Sequence, residues 1–227
     1  MSNDVISPTE AVQRLRRLDC CAVSDALDRL KTGSVITGMA QRAGTGRIAG
    51  QAITMKLGTG EAPPGPPRHL GTTAIGLGGP DNIIVIEQRS GLDAGCWGGL
   101  LTLGAKVRGI AGVVADGPVR DIDEARTYGF PIFTRSTTSR TARGRIVELG
   151  TNVPINFEGA VVRPGDYVLA DQSAVIIIGS ADIANVLNTA EQIVAKESAM
   201  AKAILAGTPI SEVMGGNYEH MLESLTS

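Results

Sequence analysis

Arg120 and Asp121 are oppositely charged neighbours that follow an apolar stretch typical of a buried strand. An arginine guanidinium can grip an anion through two parallel hydrogen bonds. An aspartate offers a hard oxygen ligand to a divalent metal ion. Together the two residues would suit an anionic oxo acid that is polarised by a metal. Arg-Asp neighbours also occur as solvated surface pairs, so the pair alone leaves both interpretations open.

Asp116 lies just before this pair, in an Asp-Gly step at the end of the same apolar stretch. Ligands in α/β folds bind beyond the carboxyl ends of the strands, which makes Asp116 a candidate catalytic residue. Asp-Gly steps also mark ordinary turns, and the sequence does not separate the two interpretations.

A glycine-rich stretch, "WGGLL" at 97–101, precedes a run that is typical of a helix. The first backbone N–H groups of a helix suit a carboxylate or a phosphate. Twenty residues separate Gly99 from Arg120, enough for one helix and one strand to return the chain to the same sheet edge. We therefore expect the helix start and the Arg-Asp pair to face one pocket.

The elements that would position these residues follow a strand, helix, strand order. The apolar runs 82–87 and 111–116 predict strands and the run 95–109 predicts a helix, a pattern that implies parallel pairing. The proline-rich segment 61–71 predicts a loop or lid. We expect this lid to select the substrate end that lies far from the Arg-Asp pair.

Later segments predict more strands and a C-terminal helix. The runs "AVVRPGDYVLAD" and "SAVIIIG" predict a turn-linked strand pair with Pro164-Gly165 as the turn. The pattern from Ala181 to Ala206 predicts one long helix or two, closed by Gly207.

Composition excludes several classes of protein. The 227 residues carry a net charge of −2 and only 3% are aromatic, which argues against a nucleic-acid partner. No apolar run is long enough to span a bilayer, so we expect no membrane partner and a cytoplasmic protein.

Around the Arg-Asp pair the sequence resembles the RraA-like family, which includes the class II 4-hydroxy-4-methyl-2-oxoglutarate / 4-carboxy-4-hydroxy-2-oxoadipate aldolases. The shared pattern is Gly99, twenty residues, Arg120-Asp121, two residues and Glu124. Flanking stretches are also similar: "SDALDRL", "GFPIFTR" and "RPGDYVLAD". The resemblance runs from about Val23 to Gly207.

The resemblance implies an α/β protein with the β/β/α, swivelling-domain-like fold of that family and with N- and C-terminal helices. It implies a trimer or hexamer with active sites between subunits. We expect residues 1–227 to form one RraA-like domain, in which 181–227 is a C-terminal helical extension.

The same resemblance implies roles for individual residues. Arg120 would bind the keto and carboxylate oxygens of pyruvate. Asp121 would be the direct ligand of Mg²⁺ or Mn²⁺, aided by Glu124 and by Glu197 from a neighbouring subunit. The start of the helix would bind the substrate carboxylate, with backbone N–H groups presented by Leu100 and Leu101; the substrate-binding residues of this stretch are Gly98, Gly99, Leu100 and Leu101. Neither histidine lies inside the shared pattern, so we expect a metal-bound or acid-held water near Asp116, Glu124 or Glu197 to carry protons.

The implied activity is metal-dependent cleavage of 4-hydroxy-2-oxo dicarboxylic acids to pyruvate and a second oxo acid. Oxaloacetate decarboxylation would pass through the same pyruvate enolate. Characterised aldolases of the family carry an aspartate where this chain has Gly99, and glycine occurs there in the regulator of ribonuclease E activity. A protein-binding regulator is therefore the alternative. A methyltransferase has no support, because the "GTG" and "GLGG" runs lack the context of a nucleotide-binding motif.

Overall fold

The computed structural model describes residues 6–66 and 68–215. The helices in these ranges are α1 (Pro8–Leu15), α2 (Cys20–Leu30), α3 (Thr72–Leu77), α4 (Gly99–Val107), α5 (Ile122–Thr127), α6 (Ile183–Leu205) and α7 (Ile210–Val213). The strands are β1 (Ser34–Ile36), β2 (Ala40–Ala43), β3 (Ile48–Gly58), β4 (Asn82–Gln88), β5 (Gly112–Ala115), β6 (Ile132–Thr134), β7 (Val147–Thr151), β8 (Ile155–Phe157), β9 (Ala160–Val162), β10 (Tyr167–Ala170) and β11 (Val175–Ile178). The α/β class predicted from the sequence is confirmed.

The main sheet is mixed, with the order β1-β11-β10-β3-β4-β5-β6-β2 and with β7 paired to β3. Strands β3, β4, β5 and β6 run parallel, and β10, β11 and β1 are antiparallel to their neighbours. The predicted β4-α4-β5 unit is confirmed, with Ile84 beside Val113. The carboxyl ends of β4, β5 and β6 therefore meet at one edge of the sheet.

The sheet curls until its two outer strands approach each other. Strands β1 and β2 stand at opposite ends of the strand order, yet only residues 37–39 separate them in the chain. A link of that length spans at most about 14 Å. The curled sheet encloses side chains such as Val85, Val114 and Phe133, which pack with Phe157 of the β8-β9 hairpin.

Helices cover the opposite face of the sheet in two groups. Helices α1, α2 and α6 pack on β10 and β11, where Leu187 and Leu169 share one buried cluster. Helices α3, α4 and α5 pack on β3 to β6, where Ala105 and Val113 share another. Successive side chains of a strand point to alternate faces of the sheet. Because both faces are covered here, nearly every position of β4 and β5 is buried. The Arg-Asp pair directly precedes α5 of this second helix group.

The prediction that Pro164-Gly165 is the turn of the strand pair is wrong. Strands β10 and β11 do pair, but residues 171–174 join them. Pro164-Gly165 instead lies between β9 and β10, which belong to different sheets because β9 pairs with β8. Apolar runs predict strands but not partners, since pairing depends on which face each strand buries. Helix α3, directly after the proline-rich loop, was not predicted.

The predicted helix from Ala181 to Ala206 is confirmed as α6. Its first half is part of the core, because Val186, Leu187 and Ala190 are fully buried. The predicted extension 181–227 thus begins as a packed helix, and its residues 216–227 lie outside the described ranges. Within the described part of the chain, no helix combines the length and apolar character needed to cross a membrane.

Candidate functional site

A net of backbone hydrogen bonds holds the Arg-Asp pair beyond the ends of β5 and β6. The Arg120 N–H donates to the Trp97 carbonyl at 3.0 Å, and the Val119 N–H donates to the Ser136 carbonyl at 3.1 Å. Short parallel bridges therefore align the segments 95–97, 118–120 and 136–138. This net brings the start of α4 beside Arg120 despite the twenty residues between Gly99 and Arg120.

The Nε of the Arg120 guanidinium contacts the carboxylate of the neighbouring Asp121. This Nε lies 3.2 Å from Oδ2 and 3.3 Å from Oδ1 of Asp121. The Arg120 side chain is 35% exposed. Among the described residues, no protein group accepts a hydrogen bond from its two terminal nitrogens. That free edge can bind a carboxylate or a keto acid through two parallel hydrogen bonds.

Asp121 adopts a left-handed backbone conformation, with φ 58° and ψ 39°, at the start of α5. This conformation costs a residue with a side chain about 1–2 kcal/mol, although aspartate tolerates it better than most. It turns the carboxylate toward α4, where Oδ2 accepts the Gly99 N–H at 2.9 Å. Backbone strain of this kind is concentrated at functional sites.

Gly98 and Gly99 leave space that acidic side chains fill. A Cβ on Gly98 would lie 2.9 Å from Oδ2 of Asp121, and a Cβ on Gly99 would lie 1.8 Å from Oε2 of Glu124. The Glu124 carboxylate therefore stands where a side chain at position 99 would begin. The glycine that departs from the aldolase pattern makes room for a carboxylate from another residue.

Side-chain hydrogen bonds hold the first turn of α4 in place. The buried Trp97 donates from Nε1 to the Thr102 hydroxyl at 3.0 Å, and that hydroxyl donates to the Gly98 carbonyl at 3.0 Å. Leu101 is buried while Leu100 is 87% exposed. Because the first N–H groups of a helix lack intrahelical partners, those of Leu100 and Leu101 can bind an anion.

A cavity of about 560 Å³ opens in front of the pair. Arg120, Asp121 and Glu124 line one side of it. Thr137, Thr138 and Ser139 also line it. Arg120, Asp121 and Glu124 thus meet at one cavity, and the start of α4 reaches Asp121 through the Gly99 N–H.

Asp116 has a different position from these residues. Its Oδ1 accepts the Gln88 N–H at 2.6 Å, and its buried Oδ2 has no hydrogen-bond partner among the described residues. Burial raises the pKa of the Asp116 carboxyl to about 6. Asp116 is not part of the described lining of the cavity in front of Arg120. Its hydrogen bond to Gln88 ties the end of β5 to the end of β4.

Glu197 lies on α6, in the other helix group. Burial raises the pKa of Glu197, and the negative charges of Asp25 and Asp19 raise it further. Both aspartates are at α2, and Glu197 does not line the cavity. Within one chain Glu197 is therefore apart from Arg120, and a role in the site would need Glu197 of another copy.

Asp121 and Glu124 are oxygen donors that fit a hard divalent cation. Mg²⁺ commonly binds through one or two carboxylates and completes its shell with water and substrate oxygens. In the described ranges, no group of three or more His, Cys, Asp or Glu residues is arranged to hold a metal. The two carboxylates would thus supply only part of a shell.

Sequence reasoning missed two features of the site. Thr137, Thr138 and Ser139 gave no signal, because a Ser/Thr-rich loop is typical of any turn region. Gly95 was also missed: a Cβ there would lie 3.1 Å from the Arg120 side chain. The close spacing of Gly95, Gly98 and Gly99 was the available signal, since glycine often marks close approach by another group.

Comparison with known proteins adds family information. The family model RraA-like, described as Aldolase/RraA, matches residues 20–177. A protein of Halalkalibacterium halodurans named "Putative 4-hydroxy-4-methyl-2-oxoglutarate aldolase" is 31% identical, over 85% of this chain and 88% of the relative.

Solved structures share the fold. An uncharacterized protein from Pseudomonas syringae pv. tomato aligns with a TM-score of 0.80 at 25% identity, over 94% of this chain and 96% of that one. RraAS2 of Streptomyces coelicolor, described as an unusual member of the RNase ES inhibitor RraA protein family, aligns with a TM-score of 0.71 at 23% identity, over 83% and 94%.

Proposed function

The chain belongs to the RraA-like family, and on that premise we propose that it is a divalent-metal-dependent lyase. It cleaves 4-hydroxy-2-oxo dicarboxylic acids into pyruvate and a second oxo acid. One observation carries the proposal: the Arg120 side chain and the Asp121 and Glu124 carboxylates line one cavity, and Asp121 also accepts the Gly99 N–H at the start of α4. A surface that only binds protein has no need of this convergence.

Arg120 and α4 bind the pyruvate half of the substrate. The free edge of the Arg120 guanidinium takes the keto oxygen and one carboxylate oxygen. The N–H groups of Leu100 and Leu101 take the carboxylate at the positive end of the helix. Asp121 fixes this geometry, because it binds both the Arg120 Nε and the Gly99 N–H.

Asp121 and Glu124 would hold Mg²⁺ or Mn²⁺, with Glu197 of a neighbouring copy as a further acid. When bound, the metal supplies Lewis acidity at the keto oxygen. The position of Glu124 compensates for Gly99, since its carboxylate occupies the space next to that residue.

Cleavage requires a proton acceptor and stabilisation of negative charge. The C4 hydroxyl loses its proton, the C3–C4 bond breaks, and its electron pair forms the enolate of pyruvate. Glu124, exposed at the cavity, accepts the proton through a water that it holds. Arg120 lies where the enolate charge develops, and fixed charges there give large rate effects. Oxaloacetate decarboxylation yields the same enolate, so the site supports it too.

A homotrimer or homohexamer is part of this proposal. Leu100, Leu103 and Val107 form an exposed apolar stripe on α4, beside the site. A second exposed apolar group lies at the end of α6 and on α7, with Leu205 87% and Ile210 60% exposed. Contact between unlike patches of successive copies can close into a ring. Leu103→Asp should therefore lower the mass measured by light scattering, and an unchanged mass would contradict this contact.

A protein-binding regulator of ribonuclease E activity is the alternative function. It is favoured by the fold likeness to RraAS2 and by glycine at position 99. The regulator does not require metal or a free Arg120 edge, so one assay separates the two functions.

The test is pyruvate release by metal-stripped protein from 4-hydroxy-4-methyl-2-oxoglutarate and from oxaloacetate, with and without Mg²⁺ or Mn²⁺. Arg120→Ala and Asp121→Asn are measured in parallel, and Arg145→Ala is an exposed control. We expect metal-dependent release that both site variants abolish and the control retains. Folded wild-type protein that releases no pyruvate from either substrate would refute the lyase and favour the regulator.

A further inference from the structure

A second cavity, of about 600 Å³, lies between the proline-rich loop and the segment 141–151. The loop contributes Arg68 and His69 to its lining, and the facing segment contributes Arg143 and Glu148. This cavity has no part in the pyruvate-binding geometry described above.

The two cavities are lined by adjacent parts of the chain. Along the chain, the lining of the Arg120 cavity ends at Ser139 and that of the second cavity resumes at Thr141. Between them, the Arg140 carbonyl accepts the Gly95 N–H at 2.9 Å, which fixes this stretch to the segment under Arg120. Gly71, which follows Leu70 of the second cavity, also packs on Leu101 of α4, since a Cβ on Gly71 would lie 3.2 Å from Leu101 Cδ1.

The charge of the second cavity favours an anion. Glu148 is already used by the protein: Oε2 accepts the Gly71 N–H at 2.7 Å, and Oε1 accepts the Thr151 hydroxyl. Arg68 donates to the Thr73 hydroxyl at 3.1 Å. In the described ranges, neither Arg68 nor Arg143 takes part in an ion pair. Two guanidinium groups without a carboxylate partner therefore face the cavity.

We propose that this second cavity is an anion subsite, in which Arg68 and Arg143 bind the carboxylate at the end of the substrate farthest from Arg120. The inference rests on the proposed lyase function and adds a specificity role to it. Residues of this subsite select oxo acids with a distal carboxylate. They do not act on the pyruvate half, which the start of α4 and Arg120 hold.

The experiment compares two substrates that differ at the distal end. One is 4-hydroxy-4-methyl-2-oxoglutarate, and the other is 4-hydroxy-4-methyl-2-oxopentanoate, which has a methyl group in place of the distal carboxylate. Arg68→Met and Arg143→Met remove charge while keeping a long side chain. Arg143→Lys restores charge, and Arg145→Met is the matched control, because Arg145 is in the same segment but does not line the cavity.

We expect Arg68→Met and Arg143→Met each to lower kcat/KM for the diacid at least about tenfold, the scale of one hydrogen bond to a charged group. The kcat/KM for the monoacid and the inhibition constant of pyruvate should stay within about twofold of the wild-type values, because the two arginines contact only the distal carboxylate of the substrate. Arg143→Lys should recover part of the loss. Equal losses on both substrates, or none on either, would overturn the proposal.

A binding measurement separates failure of the subsite from failure of the lyase. Glutarate, an inert dicarboxylate, is titrated into the wild type and the two methionine variants by calorimetry. If the wild type releases no pyruvate from any substrate, the lyase fails, but glutarate binding that both variants lose still supports the anion subsite. Absence of glutarate binding to the wild type, or equal binding to the variants, overturns it.

Discussion

Replacing Gly99 with alanine should disturb the proposed metal site through Glu124 and leave the fold intact. The added Cβ would lie 1.8 Å from Oε2 and 2.8 Å from Cδ of Glu124. Glu124 is exposed on α5, so its side chain can rotate away. Alanine is also favoured over glycine in a helix by about 0.5–1 kcal/mol. We therefore expect the free energy of unfolding to change by less than about 1 kcal/mol.

The effect on metal affinity should be much larger than the effect on stability. Loss of a group that orients or supports a metal ligand typically weakens binding about 10–100-fold. Gly99→Ala, Glu124→Ala and the double variant all remove the same carboxylate from the same place. Their Mn²⁺ affinities should be equal, which gives a coupling energy of about 1.4–2.7 kcal/mol in a double-mutant cycle.

The assays are Mn²⁺ titration followed by electron paramagnetic resonance, and equilibrium unfolding in urea. Gly104→Ala is the control in the same helix, because a Cβ there would meet Ile75 at an ordinary 3.6 Å. Gly99→Asp combined with Glu124→Ala returns a carboxylate to the site and should recover most of the affinity. Additive losses for Gly99→Ala and Glu124→Ala, or no loss for Gly99→Ala, would refute the reasoning.

Three further predictions concern Asp121, Arg120 and Asp116. In Asp121→Asn, the asparagine tolerates the left-handed backbone and can still accept the Gly99 N–H. Its free energy of unfolding should therefore lie within about 1 kcal/mol of the wild-type value, while metal-dependent pyruvate release should be lost. An active variant would contradict the assignment of Asp121. Arg120→Lys keeps the charge but loses the two-pronged grip, and it should raise the inhibition constant of pyruvate at least about tenfold, which steady-state kinetics measure. The pKa of Asp116 is about 6 in the folded protein against 3.8 for the free side chain, so ionisation costs the folded state stability as the pH rises from about 4 through 6, by about 3 kcal/mol in all. Asp116→Asn removes this ionisation. The free energy of unfolding in urea, variant minus wild type, should therefore rise by up to about 3 kcal/mol between pH 4 and pH 7. A difference that stays constant with pH would contradict this prediction.

Much of the fold could be predicted from local patterns. The apolar runs at 82–87 and 111–116, with a helical run between them, correctly predicted a parallel unit. The long helix before Gly207 was also correct. Pairing was less accessible: the turn at Pro164-Gly165 connects strands of different sheets, because pairing is decided by which faces pack together across the whole chain.

The sequence by itself determined the chemistry that is available: an arginine beside an aspartate, a glutamate one helical turn on, and a glycine-rich helix start twenty residues before the arginine. Only the tertiary structure decided which of these groups meet. It turned the Asp121 carboxylate onto the Gly99 N–H, set Glu124 in the space that Gly99 leaves, and directed Asp116 to Gln88. The physical reason is that side-chain position depends on backbone dihedrals and packing, and residue type limits these without fixing them.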